Sequence, residues 1–164
     1  MPETGSTAPS ATYRQWRRLG GTAAGRRVFS IAMRARVPYF ATVLPTVRVM
    51  EPGRCEVTAP KWRGVHNHLG TFHAIAVCNL AETAMGMMCE ATVPASHRWI
   101  PQAMDVRYPA KATTRLRAVA TLETIPDFGA AEEGFALPVP ITVYDTADVV
   151  VLEATITVWV TPRR

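Results

Sequence analysis

The stretch FHAIAVCNLAETAMGMMCEA, residues 72–91, limits most strongly what this chain can fold into. It contains no proline and is rich in Ala, Met, Leu and Glu, which are good helix formers. Its small and polar residues recur at spacings of three and four and therefore form one stripe; they are Asn79, Glu82, Thr83, Gly86 and Glu90. Because the rest of the cylinder is apolar, we predict one long helix, from about 72 to 91, enclosed on most sides.

The sequence around this helix predicts strands. Before it, residues 47–58 have a β pattern that breaks at Pro52 and Gly53, where a turn or bulge is expected. After it come a short candidate strand over 104–108 and longer ones over 113–124, 135–144 and 149–160. Asp145–Asp148 is a candidate hairpin turn, and 127–134 an acidic loop. Hairpin-linked strands that follow a helix indicate an antiparallel sheet. We therefore predict an α+β fold of the hotdog type, with about five to six strands wrapped round one central helix.

The N-terminal segment has a different character. Residues 1–11 are predicted to be a loose tail, and 12–36 to form short helices interrupted around Gly20–Gly21 and Gly25 and ended by Pro38. We accordingly divide the chain into a basic N-terminal tail with short helices, 1–36, and a single hotdog domain, 37–164.

The net charge of +5 comes from that N-terminal segment. Seven arginines there face Glu3 alone, which gives it a net charge of +6, whereas 37–164 carry −1. A nucleic-acid reader would spread basic residues over its fold, so we expect no nucleic-acid partner. A solvated helix face is the favoured interpretation of the arginines; contact with a membrane surface or a phosphate-bearing ligand is the alternative.

Targeting signals and cysteines suggest where the protein works. No run of eighteen apolar residues predicts a membrane span. Cys55, Cys78 and Cys89 lack close pairing, which is typical of reduced thiols, and Cys78 and Cys89 are interpreted as small hydrophobic residues. We expect a cytoplasmic protein.

A motif at the start of the helix resembles a known family. NHLGTFHA, from Asn67 to Ala74, followed by LAE at Leu80–Glu82, is similar to the N/Q-x-x-G-x-x-H-G…L-x-D/E motif of the PaaI-like hotdog acyl-CoA thioesterases. Three further stretches, Val37–Phe40, Arg63–His68 and His97–Pro101, resemble a hotdog subgroup known mainly as a domain of unknown function. The resemblance covers roughly 37–160.

This resemblance implies hydrolysis of an acyl-CoA or related acyl thioester, without a cofactor apart from the CoA of the substrate. Glu82 would be the base or nucleophile. The N–H of Ala74, at the helix N-terminus, and the amide of Asn67 would stabilise the oxyanion, while Gly70 permits close backbone approach. His73 is expected to orient the loop or cap the helix.

Helix geometry separates these groups. Eight residues from Ala74 to Glu82 span about 12 Å at about 1.5 Å per residue, so one chain cannot place both at one reacting carbon. Two antiparallel helices across a two-fold axis can. We therefore predict a homodimer with two sites at its interface; a dimer of dimers is left open.

Other residues are expected to bind the substrate. We predict that His68, Thr83 and Gly86 bind the substrate. For the CoA phosphates the candidate residues are Arg63, Arg98, Arg107 and Lys111, with Arg115 beside them. The motif is not intact, because Ala74 replaces its usual glycine and Gly86 a serine or threonine that positions water; Thr83 is a candidate substitute.

Alternatives stay open at this point. Glu82 is a catalytic carboxylate or one paired with an arginine. The protein is a hydrolase or a non-catalytic binder of acyl ligands. We expect no metal, because the His66, His68 and His73 spacing is a weak zinc signature even with Glu82 nearby.

Overall fold

A computed structural model describes residues 8–130 and 133–163. The helices in this part of the chain are α1, Ala11–Leu19; α2, Ala23–Arg36; and α3, Ala74–Thr92, with short 3₁₀ helices at Pro38–Val43, Arg63–Val65 and Phe128–Ala130. The strands are β1, Thr46–Glu51; β2, Arg54–Ala59; β3, His97–Arg107; β4, Leu116–Thr121; β5, Phe135–Tyr144; and β6, Val150–Pro162. The predicted tail, 1–11, lies mostly outside the described residues, and α1 begins at its last residue.

The strands form one antiparallel sheet in the order β1-β2-β4-β5-β6-β3. Along β6, Ala154, Ile156, Val158 and Val160 are buried in alternation, as the sequence predicts. The buried faces of β2, β4 and β5 alternate in the same way and pack on α3. The predicted hotdog fold is therefore confirmed: one long helix lies against a sheet that wraps round it.

Helix α3 is the centre of the core. It is enclosed along most of its length, and Leu80, Met85 and Met88 are fully buried. At its end, the Thr92 hydroxyl donates to the carbonyl of Met88 (2.6 Å) and accepts the N–H of Gly53 (2.9 Å), which ties the helix to the β1–β2 turn. Gly53 has φ +77°, so the turn needs a residue that tolerates the left-handed region.

The prediction that Gly25 interrupts the N-terminal helices is wrong. Gly25 lies in the first turn of α2, and its N–H bonds to the capping hydroxyl of Thr22 (3.0 Å). A Cβ at Gly25 would lie 1.9 Å from the carbonyl oxygen of Leu19, so glycine is required here by close approach. Trp16 of α1 packs edge-on against Phe29 of α2, with ring centroids 5.1 Å apart.

The strand predicted over 104–108 is present, but its predicted length and start are wrong. Strand β3 has 11 residues and begins at His97. Proline is tolerated in strands at sheet edges and bulges, and Pro101 lies at both. β3 pairs only with β6 in the described chain, and its register shifts between Pro101 and Ala103.

None of the helices in the described ranges has the length and apolar character needed to cross a membrane.

Candidate active site

Glu82 lies in the middle of α3 and is partly buried. It lines an open cavity of about 260 Å³ whose other walls are Pro101, Gln102, Ala103 and Met104 of β3 and Ile156 of β6. Among residues 8–130 and 133–163, Glu82 has no hydrogen-bond or ion-pair partner. The arginine-paired alternative is therefore not observed. A carboxylate in this position, beside apolar walls, is free to act on a ligand.

The wall opposite Glu82 is a β-bulge. The register shift in β3 places Gln102 at the irregularity, and Gln102 lines the cavity. Bulges re-aim side chains and are frequent next to functional sites. Gln102 was not among the predicted site residues; the sequence signal for a bulge at this point is the neighbouring Pro101.

The loop before α3 is organised by Asn67. Its side-chain oxygen accepts the N–H groups of Leu69 (2.9 Å) and Thr71 (3.2 Å). Its amide nitrogen donates to the hydroxyl of Thr71 at 2.9 Å, while the carbonyl of Phe72 lies at a long 3.5 Å. One amide hydrogen of Asn67 thus makes a short hydrogen bond within the loop, and the other makes only a long one. Gly70 closes the turn with φ +71° and open space around its α-carbon.

His73 and Ala74 form the start of α3. The imidazole Nδ1 of His73 accepts the N–H of Ile75 (3.2 Å), so His73 caps the helix, in agreement with the capping interpretation. Ala74 is the first helical residue and is exposed. Within the described chain, no group accepts its N–H. That N–H, at the positive end of the helix dipole, is available to an anion or carbonyl oxygen.

Glu82 is the only predicted site residue among the described residues that line its cavity. Thr83 and Gly86, which lie next to it on α3, are turned into the core. Thr83 is fully buried and donates to the carbonyl of Asn79 (2.8 Å). Gly86 is buried against Trp99, whose Cη2 would lie 3.3 Å from an added Cβ. Glycine at this position therefore makes room for an aromatic ring.

A tyrosine and a cysteine that our sequence analysis did not propose lie near the helix start. The hydroxyl of Tyr108 is 2.9 Å from the Cys78 sulfur and 3.5 Å from the carbonyl oxygen of Ala74. Desolvation, followed by the hydrogen bond to Cys78, raises the pKa of Tyr108 to about 12. The phenol therefore stays neutral at physiological pH and can serve as a hydrogen-bond donor.

An exposed apolar surface adjoins these residues. Ile75, Cys78 and Glu82 share one face of α3 by their spacing, and Ile75 is 56% exposed. On the β3 side, Ile100 is 63% and Tyr108 46% exposed. Exposed apolar side chains on this helix face and along the edge strand are typical of a surface that binds a partner.

The remaining candidates lie on the surface, apart from one another. Four of them are exposed, on loops, at a strand end or at the start of a 3₁₀ helix: His68, Arg63, Arg107 and Lys111. Arg98 lines a cavity at the C-terminal end of α3, and Arg115 lines another beside α2. His66 and His73 are also exposed. In the described part of the chain, no three His, Cys, Asp or Glu side chains form a group that could hold a metal ion.

Comparison with known proteins places this geometry in a family. The model of the family described as "Domain of unknown function (DUF4442)" matches residues 25–160. A solved structure named only as genomics APC5556 is 41% identical, over 93% of this chain and 98% of that one, with a TM-score of 0.78. None of the curated proteins that were compared matches the chain.

More distant structures have the same fold. One is "Protein of Unknown Function PA5026 from Pseudomonas aeruginosa, Probable Thioesterase", at 19% identity over 96% of this chain and 99% of that one, TM-score 0.76. Another is the thioesterase HI1161 from Haemophilus influenzae, at 12% identity over 76% and 82% of the two chains, TM-score 0.66.

Proposed function

The chain belongs to the DUF4442 family, and we propose that it is a thioester hydrolase that acts on an acyl-CoA or related acyl thioester as a homodimer. The observation that carries this proposal is Glu82, a partly buried carboxylate without a partner in the described chain, at an open cavity. Such carboxylates are uncommon in structural positions and frequent in active sites. Similar folds that bear the name thioesterase add support.

In the proposed reaction, Glu82 takes a proton from water as the water attacks the thioester carbonyl. In the alternative route, Glu82 attacks the carbonyl carbon and displaces the thiolate, and water then hydrolyses the resulting mixed anhydride and restores Glu82. The carbon–sulfur bond breaks, and the products are a carboxylic acid and a thiol. The free N–H of Ala74 suits the developing oxyanion, because it sits at a helix N-terminus. The weakly engaged amide hydrogen of Asn67 is the second proposed donor. His73 acts as a positioning residue by capping the helix.

The proposed site needs two subunits. Ala74 and Glu82 lie eight residues apart on α3, about 12 Å along its axis. Glu82 of one subunit would therefore work with Asn67 and Ala74 of the other. Two features of the surface favour such pairing: the edge strand β3 has unpaired backbone groups, and exposed apolar residues flank it.

A second function, binding of acyl ligands without turnover, is favoured by Gly86. In the motif that this sequence resembles, a serine or threonine that positions water often stands there, whereas this chain places the ring of Trp99 against Gly86. This function predicts saturable binding of an acyl-CoA with no thiol released.

The test is thiol release from a panel of acyl-CoAs of different chain length. We expect Glu82→Gln to lower kcat by roughly 10²–10⁴-fold, the usual contribution of a general base. Glu51→Gln is the matched control, because Glu51 is an exposed carboxylate on β1 at the far edge of the sheet, and we expect it to keep full activity. Equal activity of wild type and Glu82→Gln would reject the assignment. Binding without release by the wild type would select the second function.

A further inference from the structure

A second cavity, of about 450 Å³, lies at the C-terminal end of α3. Its walls include Arg14 of α1, Arg36 at the end of α2, Arg98 of β3 and Arg163, which follows β6. Glu90 is the one acidic residue among its described lining residues. The chain thus brings together four guanidinium groups that lie far apart in the sequence.

These arginines are not neutralised within the described chain. No carboxylate of residues 8–130 or 133–163 forms an ion pair with any of the four. A larger cavity of about 790 Å³ beside α2 has more acid in its walls: five arginines (Arg27, Arg34, Arg48, Arg115 and Arg117) lie with Glu56, Asp145 and Asp148. There Arg117 is paired with Glu56 (3.8 Å) and Asp148 (2.8 Å). With four arginines against one acid, the smaller cavity has the greater excess of positive charge in the smaller volume, and this excess favours an anionic ligand.

The walls of the smaller cavity are held in place by hydrogen bonds. The Arg163 Nε donates to the carbonyl of His97 (2.9 Å), which leaves its two terminal nitrogens for a ligand. Arg14 donates to the carbonyl of Pro9 (2.6 Å). The hydroxyl of Ser10, the N-cap of α1, donates to the carbonyl of Glu90 (2.7 Å) and joins α1 to α3. Fixed guanidinium forks suit the geometry of phosphate oxygens.

We propose that this cavity is a binding site for a soluble, phosphate-bearing small molecule with at least two negative charges. Its volume lies in the range of small-molecule sites. Its concave shape excludes a flat membrane surface as the main partner. Arg14 and Arg163 lie outside residues 25–160, so the site is built partly from segments beyond the family match. It gives a role to the basic N-terminal segment and does not depend on the catalytic assignment of Glu82.

The test is isothermal titration calorimetry with inorganic pyrophosphate at low ionic strength. Arg36→Gln combined with Arg98→Gln is the informative variant, because both residues are exposed and anchor no backbone group in the described chain. We expect at least about a ten-fold loss of affinity, since charge-assisted hydrogen bonds to phosphate are lost. Glu90→Gln should tighten binding, because it removes the one acidic wall.

The matched control is Arg17→Gln combined with Arg18→Gln, which removes the same charge from the exposed last turn of α1. It should bind pyrophosphate within about two-fold of the wild type, because exposed charges beyond the cavity are largely screened. Equal weakening by the two double variants would overturn the proposal, as would no binding to the wild type. Binding to phosphatidylserine vesicles but not to pyrophosphate would also overturn it. Glu82→Gln should bind pyrophosphate normally, so failure of the hydrolase assignment is separable from failure of this site.

Discussion

The two edges of the sheet are built in opposite ways. At the β1 edge, α2 packs over the strand, and the hydroxyl of Ser30 accepts the N–H of Val47 (3.0 Å) in a buried contact. At the β3 edge, no described element covers the strand; most of its residues are exposed, Ile100 among them. Glu82 faces this open edge.

The covered β1 edge and the open β3 edge have different consequences for association with other chains. Unpaired strand edges promote association with other chains, so proteins usually cover or interrupt them. This chain covers β1 with its own N-terminal helices and leaves an 11-residue strand open beside a carboxylate. An edge left open at the candidate active site supports the proposal that a second copy completes it.

The largest expected effect comes from charging the open edge. Ile100→Lys should raise the dimer dissociation constant by roughly 30-fold or more, because a central interface residue contributes about 2 kcal/mol. Light scattering across a dilution series measures this, with thiol release followed in parallel. Val28→Lys, a similar change at a 55% exposed residue of α2, is the control. It should leave the dimer dissociation constant and the rate of thiol release unchanged. A fully active monomeric wild type would contradict the two-subunit site.

An intermediate effect, on the stability of the fold, is expected from a substitution at the covered β1 edge. Ser30→Ala removes the acceptor for the N–H of Val47 and leaves a buried donor unsatisfied. We expect a loss of about 1–3 kcal/mol in the free energy of unfolding. The urea midpoint measures it, while the dimer mass and thiol release serve as controls and should not change. A loss below about 0.5 kcal/mol, the usual size of surface effects, would mean that water replaces Ser30 as the acceptor for the N–H of Val47.

The smallest effect concerns the thiols. Burial raises the pKa of Cys55 in β2, and it raises the pKa of Cys89 to about 12 from an ordinary 9.0. Cys78, on the open face of α3, is partly exposed. Because thiolates are the reactive form, iodoacetamide at pH 8 should modify Cys78 well before Cys55 and Cys89. Mass spectrometry of the digested protein measures the order in which the three cysteines are labelled. Early labelling of Cys55 would show that the sheet opens transiently around β2.

The raised pKa values of the buried thiols predict that the free energy of unfolding depends on pH. A buried thiol whose pKa is raised favours folding while it stays protonated. That contribution is complete below pH 9.0, the ordinary value, and is lost as pH rises towards the folded pKa of about 12. The urea midpoint should therefore decrease as the pH is raised from 8 to 10. In Cys89→Ala this decrease, measured from the variant's own midpoint at pH 8, should be smaller.

Much of this architecture is readable from the sequence because it depends on periodicity. The apolar run gave the helix within two residues at its start, since helix formers and burial agree over its whole length. Strand β5 was predicted with its observed bounds. Errors came where a local signal was outweighed by packing. Gly25 looked like a helix breaker, yet it fits a close helix–helix approach, and the strand predicted over 104–108 left out the residues before the bulge at the sheet edge.

By itself, the sequence determined the elements, the enclosed helix and the isolation of Glu82 on it, because these follow from local chemistry repeated at fixed spacing. Only the tertiary structure decided what faces Glu82, since the bulge at Gln102 arises from strand pairing. It also decided that Gly86 accommodates Trp99 and that four distant arginines share one cavity. Contacts between residues far apart in the chain depend on how the elements pack, and no local pattern specifies them.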